Sequence, residues 1–391
     1  MRLPRTVVAL GAVSLLTDLS SEMIYPLLPV FLSTVLGAGP LAIGAIEGAA
    51  ESIAALLKLA SGWWSDRLPR RKPLVIAGYG IASVVRPLIG LVQSVGQVLA
   101  IRLADRAGKG IRGAPRDALI ADAVDASQRG RAFGFHRAAD HAGAVAGPLV
   151  AFALLAWVGV SLRTVFLLAA IPAAAAMIVL IFGVRESARE SVQPKDKTKL
   201  DRSGLSRRFW AYLGVLLVFT LGNSTDALLI LRANELGVSA AIVPILWAVL
   251  HVVKSVSSTP GGVLSDRLGR RPLIVAGWLV YAAVYLGFAY ASETWHAWAL
   301  FVVYGLYFGM TEGVEKALVA DLVPARVRGA AFGWYNLTIG LAALPASLLF
   351  GGLWQAYGAD TAFITGAGLA LVAAVGLTMV TSDRRPVTGA H

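Results

Sequence analysis

Two acidic side chains lie in the middle of an apolar run. Residues 14–32 read SLLTDLSSEMIYPLLPVFL, in which Asp18 and Glu22 are four residues apart. On an α-helix this spacing places both acids on one face, together with Tyr25. A carboxylate in lipid hydrocarbon costs at least ~2.5–3.5 kcal/mol, so this face is expected to meet protein or a water-filled cavity. One or more of these acids therefore couples proton movement to a substrate, or is permanently ionised and neutralised by a basic partner.

The second, third, fourth and fifth apolar segments of the first half also carry charge. Glu47, Glu51 and Lys58 share one stripe of the second segment, and the fourth reads RLADRAGKGIRGAPRDALIAD over 102–122. We favour pairing of the bases with the acids in a buried network, because both occur in comparable numbers; the alternative is a cavity that binds an anionic group. The other charged candidates of this half are Arg86, Arg102, Asp105, Arg106, Lys109, Arg137 and Asp140.

Glycine, proline and histidine add two further expectations. The glycines and Pro115 near the end of the fourth segment predict a bent or broken helix there. His136 and Asp140, four residues apart, could hold a metal ion together, and a histidine could instead relay protons or be satisfied by its own hydrogen bonds. The remaining candidates are His141 in the first half and Asp226, His251, Glu312 and Glu315 in the second.

These side chains lie in long apolar segments. The chain has 391 residues, of which 57% are hydrophobic and 15% charged. About twelve blocks reach the ~20 residues that cross a membrane as a helix, which predicts an all-α membrane protein. The absence of cysteine excludes disulfides and thiolate chemistry.

The net charge of +12 comes from basic residues whose positions indicate a membrane topology. Lysine and arginine cluster in alternate loops, whereas the loops at 37–40, 94–97 and 292–296 contain almost none. This distribution predicts a multi-pass protein of the inner membrane with both termini in the cytoplasm. It also explains the positive charge without nucleic acid as a partner; the partners expected are the bilayer, protons and a small substrate.

The chain repeats itself. SDRLPRR at 65–71 returns as SDRLGRR at 265–271, and the segment 118–135 resembles 317–334. LSSEM around Glu22 aligns in the same comparison with NSTDA around Asp226. Two parallel repeats of six helices predict two bundles around a central cavity, as in transporters. The predicted units are a bundle at 1–184, a cytoplasmic linker at 185–208 and a bundle at 209–391.

The repeated loop resembles the signature of the major facilitator superfamily, G-x-x-x-D-R-x-G-R-R. The matching residues are Gly62, Asp66, Arg67, Arg70 and Arg71, with Pro69 in place of a glycine, and Gly262, Asp266, Arg267, Gly269, Arg270 and Arg271. The resemblance implies the fold of that family, alternating access and a monomer.

The loop motifs are expected to act as a latch. An aspartate at a helix end can accept hydrogen bonds from the amides of a facing helix, and arginine can reach a carboxylate on the next bundle. The repeat supplies that carboxylate as Asp122 and Asp321, which end spans four and ten. In the family this cluster resembles the lock that holds the cytoplasmic side closed; the alternative is that the arginines only set topology. The residues concerned are Asp66, Arg67, Arg71, Asp122, Asp266, Arg267, Arg271 and Asp321.

The fifth segment favours export. In GAVAGPLVA, Gly143, Gly147 and Pro148 form a small-residue face that permits close helix approach and a bend. The stretch resembles part of the antiporter motif of drug-efflux members, although simple helix packing explains the same residues.

We therefore predict a proton-coupled exporter of small toxic organic compounds that uses the proton gradient and no cofactor. The alternatives are a divalent-metal exporter of the nickel or iron type and an uptake symporter of organic anions. No nucleophile–base motif, HExxH or P-loop is present in the sequence, so an enzyme is not expected.

Replacing Asp18 or Glu51 with asparagine is expected to abolish proton-coupled substrate movement while the protein stays folded, because the amide cannot exchange a proton as the carboxyl group does. The measurement is proton release in liposomes that contain a pH dye. Wild-type activity in both variants would contradict the coupling role.

Overall fold

The computed structural model describes residues 3–65, 68, 70–125, 128–186, 205–324 and 327–380. Within these ranges the chain forms helices joined by short connections, and no β-strand is found. Most of the predicted linker lies outside the described residues, as do Asp66 and Arg67 of the first loop motif.

Twelve helical spans run through the described chain, as predicted. Spans 1–6 are Arg5–Glu22 with Leu28–Thr34, Pro40–Ser65, Lys72–Val85 with Arg86–Leu91, Val95–Asp122, Arg129–Ala153 with Leu154–Val158, and Leu162–Leu168 with Ala170–Gly183. Spans 7–12 are Arg207–Gly222 with Asp226–Glu235, Val243–Leu268, Arg270–Tyr290, Thr294–Asp321, Arg328–Tyr357 and Ala359–Val380.

Ten of these spans are long and apolar enough to cross a membrane by length and composition. The other two are spans 4 and 8. Span 4 carries the charges quoted above, and span 8 contains His251, Lys254 and several hydroxyl side chains. Because burial of these polar spans against neighbouring helices removes them from lipid, their low hydropathy is compatible with the fold.

The spans form two bundles with the same packing order. Span 1 packs on spans 5 and 6, and span 4 packs on spans 2 and 3. In the second half, span 7 packs on spans 11 and 12, and span 10 packs on spans 8 and 9. The packing order of the two six-helix units thus follows the internal repeat of the sequence.

Spans 1 and 7 are interrupted at equivalent places. Span 1 leaves the α-helix after Glu22 and continues through a 3-10 turn at Tyr25–Leu27, where Pro26 lacks a backbone N–H. Span 7 breaks after Gly222 and restarts at Asp226. Tyr25 therefore lies outside the α-helix that carries Asp18 and Glu22. Glu22 and Asp226, which the repeat comparison aligned, lie on opposite sides of equivalent breaks.

Span 4 is one continuous helix with Pro115 inside it, so the helix is not broken there, and the alternative of a bend stays a prediction. Its glycines serve close packing instead. A Cβ on Gly108 would lie 2.5 Å from the carbonyl oxygen of Gly78, and one on Gly110 would lie 2.7 Å from that of Ala54. Only glycine lets spans 2 and 3 approach span 4 this closely.

The two bundles meet at one end of the helices. We call the end next to the loops with Arg71 and Arg271 the basic end, and the other the opposite end. Spans 2 and 11 contact each other from the opposite end inward, where a Cβ on Gly48 would lie 2.9 Å from Leu344 Cα. The Ser52 hydroxyl donates to the carbonyl of Gly340 at 2.7 Å. This seam closes the space between the bundles at the opposite end.

Replacing Gly48 with valine is expected to open the seam, because the added side chain overlaps the backbone of span 11 and overpacking costs roughly 1–3 kcal/mol. Since the chain has no cysteine, spin labels at Val35→Cys and Glu235→Cys report the distance between spans 1 and 7 at this end. We expect a longer distance in Gly48→Val. The control is Gly214→Val, since a Cβ there meets no atom within 4 Å. An unchanged distance distribution in Gly48→Val would argue against the seam.

Candidate functional site

A cavity of about 660 Å³ lies between the two bundles. Its polar and aromatic lining includes Tyr25, Glu47, Glu51, Lys58 and Lys109 from the first bundle and Thr220, Asn223, Ser224, Thr225, Asp226, Tyr304, Phe308, Asn336 and Ser347 from the second. The side chains of Lys58, Lys109 and Asn336 are exposed, although each lies well inside its span. Since the seam closes the opposite end, the cavity opens toward the basic end.

A buried chain of ion pairs holds the first bundle together. Arg102 binds both carboxylate oxygens of Glu47, at 2.8 and 2.5 Å, and contacts Asp105 at 3.2 Å. Arg86 binds Asp105 at 2.8 Å and donates to the carbonyl of Thr17. The four charged side chains are 2–4% exposed. This network ties spans 1, 2, 3 and 4 together, which confirms the predicted pairing for these residues.

Glu51 also has a basic partner. Arg106 Nη2 lies 3.1 Å from Glu51 Oε1, and the guanidinium groups of Arg106 and Arg102 lie 5.9 and 5.7 Å from the centre of the Tyr25 ring. The distances suit cation–π contacts. The pairing favours the permanently ionised alternative for Glu51.

The acids of the second bundle are held mainly by aromatic side chains. Tyr304 donates to Asp226 at 2.8 Å, and Trp278 and Tyr335 donate to Glu315 at 3.0 and 2.9 Å. Glu315 is buried inside the bundle, whereas Asp226 lines the cavity. Glu312 instead pairs with Lys254 at 3.1 Å and Lys316 at 3.5 Å.

Asp18 and Glu22 are not among the residues that line the cavity, and they pack against span 5. A Cβ on Gly143 would lie 2.9 Å from Asp18 Cβ, and one on Gly147 would lie 2.8 Å from Glu22 Cβ. The small-residue face before Pro148 thus lets span 5 pack directly on the acid-bearing face of span 1. Helix packing by these glycines is confirmed; an additional role in export stays a prediction.

The histidine and acid of span 5 lie beside the same contact. Ser14 donates to Asp140, His136 Nδ1 lies 3.6 Å from Asp140, and Arg137 lies 3.7 Å away. His136 is buried, whereas His141 is partly exposed. No three histidine, cysteine or acidic side chains converge as metal ligands within the ranges that the structure describes. His136 and Asp140 therefore lack a third ligand there.

Trp247 joins the two bundles at this contact. Its indole N–H donates to Glu22 at 2.8 Å, and its ring lies 5.3 Å from that of Tyr25. The ring of His251 packs edge-on against the same indole at 4.9 Å. Sequence reasoning missed Trp247; the repeat could have indicated it, since residue 247 stands 200 positions after Glu47.

The loop residues make contacts within each bundle. Arg71 pairs with Asp122 at 2.6 Å, and both belong to the first bundle. In the second bundle Arg270 binds Asp266 and lies 3.5 Å from Asp321, whereas Arg271 donates to the carbonyl of Thr378. The predicted contact of a loop arginine with the carboxylate that ends span 4 is confirmed for Arg71 and Asp122, although both belong to one bundle. At Asp321 the arginine is Arg270 rather than Arg271. Arg267 is exposed.

The sequence profile of the Major Facilitator Superfamily matches residues 10–311 and 211–390. The chain belongs to this superfamily. An MFS-type transporter of Methanocaldococcus jannaschii is 34% identical over 97% of the chain and 95% of its own length. The Multidrug resistance protein MdtG of Enterobacter lignolyticus is 24% identical over 92% of the chain and 88% of its own length.

The fold has a close match among solved structures. The crystal structure of the nucleoside transporter NupG superposes with a TM-score of 0.79 at 14% identity, over 97% of this chain and all of that one. At this identity the likeness concerns the fold. The superfamily transporter thus spans the membrane many times and encloses its cavity between two bundles.

Replacing Glu47 with glutamine is expected to destabilise the first bundle by roughly 3–5 kcal/mol, because it leaves Arg102 buried without one of its carboxylates. Thermal unfolding in detergent measures the effect. The matched control is Glu51→Gln, whose side chain is 46% exposed, so a smaller loss is expected. Equal melting temperatures for the two variants would contradict a structural role of the buried network.

Proposed function

We propose that the protein is a proton-coupled exporter of small organic compounds, working as a monomer by alternating access in the inner membrane. The observation that carries this proposal is the cavity between the bundles, which side chains of both halves line and which the seam closes at one end. The basic end faces the cytoplasm by the charge rule. The cavity then faces the cytoplasm in this conformation, ready to load a compound for export.

Alternating access requires two rigid units and a separable contact. The ion pairs among Glu47, Arg102, Asp105 and Arg86 lie within the first bundle, where breaking them is costly. The seam between spans 2 and 11 consists of van der Waals contacts and single hydrogen bonds such as that of Ser52 with Gly340. Such a seam can separate while each bundle keeps its internal pairs.

We assign proton coupling to Glu22, because this carboxylate of the first bundle accepts a hydrogen bond from the second bundle. Trp247 of span 8 donates to it from the second bundle. A hydrogen bond to a carboxylate is roughly twice as strong as one to a neutral acid. Protonation of Glu22 therefore weakens this contact between bundles, and loss of the proton restores it. Asp18, one helical turn away on the same packed face, is the adjacent site for the proton.

Two features support export over uptake. The glycines that pack span 5 on span 1 belong to the stretch that resembles the efflux motif. The similarity to the Multidrug resistance protein MdtG extends over nearly the whole chain. Toxic organic compounds are accordingly the first class to test. The described residues contain no cluster of three histidine, cysteine or acidic side chains that could bind a metal substrate.

Replacing Glu22 with glutamine is expected to reduce substrate-driven proton release by roughly tenfold or more, because the amide keeps a hydrogen-bond acceptor but cannot change charge. The assay uses liposomes with an internal pH dye and a panel of drugs, organic anions and divalent metals. Exchange of labelled substrate without a gradient should persist, because exchange requires no net proton movement.

Two variants sharpen this test. Trp247→Phe keeps the ring beside Tyr25 but removes the donor, so fewer protons should move per substrate. Glu235→Gln removes a carboxylate that pairs with Arg232 of its own helix, and it should behave as wild type. Normal proton release in Glu22→Gln would refute the coupling role of this residue. Loss of both proton release and substrate exchange in Glu22→Gln would indicate that Glu22 is needed for the folded structure and not for coupling.

A further inference from the structure

We propose that the substrate is an organic anion with an aromatic or apolar body, and that Lys58 and Lys109 bind its acidic group in the cavity. The inference rests on the proposed transport function and names the class of its substrate. Three features of the cavity support it: the charge balance of its wall, the placement of the two lysines, and the apolar surface around them.

The carboxylates in the first-bundle wall of the cavity have arginine partners behind the wall, whereas the lysines of the wall have no such partner among the described residues. Arg102 and Arg86 share Glu47 and Asp105, and Arg106 binds Glu51. These contacts pair three bases with three acids. Lys58 and Lys109 remain, and neither forms an ion pair with any residue that the structure describes. With Glu47 and Glu51 neutralised by Arg102 and Arg106, the two lysines are the positive charges left for a substrate on this side of the cavity.

The two lysines belong to one place in the cavity. The stem of Lys58 crosses span 4 at Gly113, where a Cβ would lie 3.8 Å from Lys58 Cδ. Lys109 is four residues, and so about one helical turn, before Gly113. Both side chains are exposed to the cavity that they line. A Cβ on Gly110, the residue after Lys109, would lie 3.2 Å from the Lys58 backbone nitrogen, so both lysines project from one crossing of spans 2 and 4. Two such lysines suit a carboxylate, sulfonate or phosphate, each of which offers several acceptor oxygens.

The opposite wall is suited to the rest of the substrate. Tyr304 and Phe308 of span 10 line it, and Tyr25 lines the first-bundle side. Asp226, the carboxylate of this wall, is held by the Tyr304 hydroxyl. It repels a second negative charge and so favours an apolar body at this wall. A cavity of about 660 Å³ is of the size that holds a small organic molecule.

The first test measures binding of three labelled probes with one naphthalene ring. Equilibrium dialysis of the purified protein compares 1-naphthoate, neutral 1-naphthylmethanol and cationic 1-naphthylmethylammonium. We expect naphthoate to bind roughly tenfold or more tightly than the ammonium compound, in line with one charge-assisted contact. Tighter binding of the ammonium compound would overturn the proposal, and this comparison needs no variant.

The second test assigns the site to the lysines. Lys58→Met and Lys109→Met should each weaken naphthoate binding roughly tenfold and leave 1-naphthylmethanol unchanged, while Lys109→Arg should retain binding. Arg207→Met removes one exposed positive charge at the start of span 7, outside the cavity lining, and should have no effect. Unchanged naphthoate affinity in both lysine variants would overturn the assignment. If a variant does not fold, the comparison of probes on the wild type decides.

A transport measurement distinguishes failure of the proposed anion site from failure of the proposed proton-coupled transport. In the liposome assay, lysine-dependent binding of naphthoate without proton release supports the anion site and refutes proton coupling. Proton release by the ammonium probe alone, unchanged in Lys109→Met, supports coupled transport and refutes the anion site.

Discussion

An unpaired charge in the hydrocarbon core is costly, and the first bundle is arranged around that constraint. Span 4 carries so many ionisable side chains that it cannot face lipid, and it lies in the middle of its bundle against spans 2 and 3. Arg102 pairs with both Glu47 and Asp105, and Asp105 also pairs with Arg86. The position of four helices thus depends on these carboxylate–guanidinium contacts, because each ion would otherwise lack a counterion inside the membrane.

Close backbone approach is the second condition for this packing. Short ion pairs between helices require the helices to be near each other, and the glycines of span 4 provide that proximity. Gly108 fits against the backbone of span 3 and Gly110 against that of span 2. The second bundle repeats the device at the crossing of spans 8 and 10, where Gly261 meets the carbonyl of Gly309. The internal repeat therefore preserved the crossing geometry, whereas the charged network belongs to the first half.

The site proposed for proton coupling, at Glu22, and the cavity are different places that Tyr25 and Trp247 connect. Glu22 lies with Asp18 at the contact of spans 1, 5 and 8, while the cavity lies among spans 1, 2, 4, 7, 10 and 11. Tyr25 lines the cavity and packs its ring on Trp247, the donor to Glu22. Tyr25 follows Glu22 across the break in span 1. Glu22 is thus connected to the cavity through the Trp247 indole and the Tyr25 ring.

The sequence by itself determined the number of spans, the duplication, the grouping of the basic loops at one end of the helices and the need for ion pairing. These features follow from local composition, because the energetic penalty for charge in lipid applies to every segment of the chain. Tertiary structure decided which acid meets which base: Glu51 binds Arg106, and Arg270 rather than Arg271 binds the carboxylates. It also placed Trp247 on Glu22. Partners on separate helices depend on how each helix is rotated and crosses its neighbours, and side chains from many positions set that geometry together.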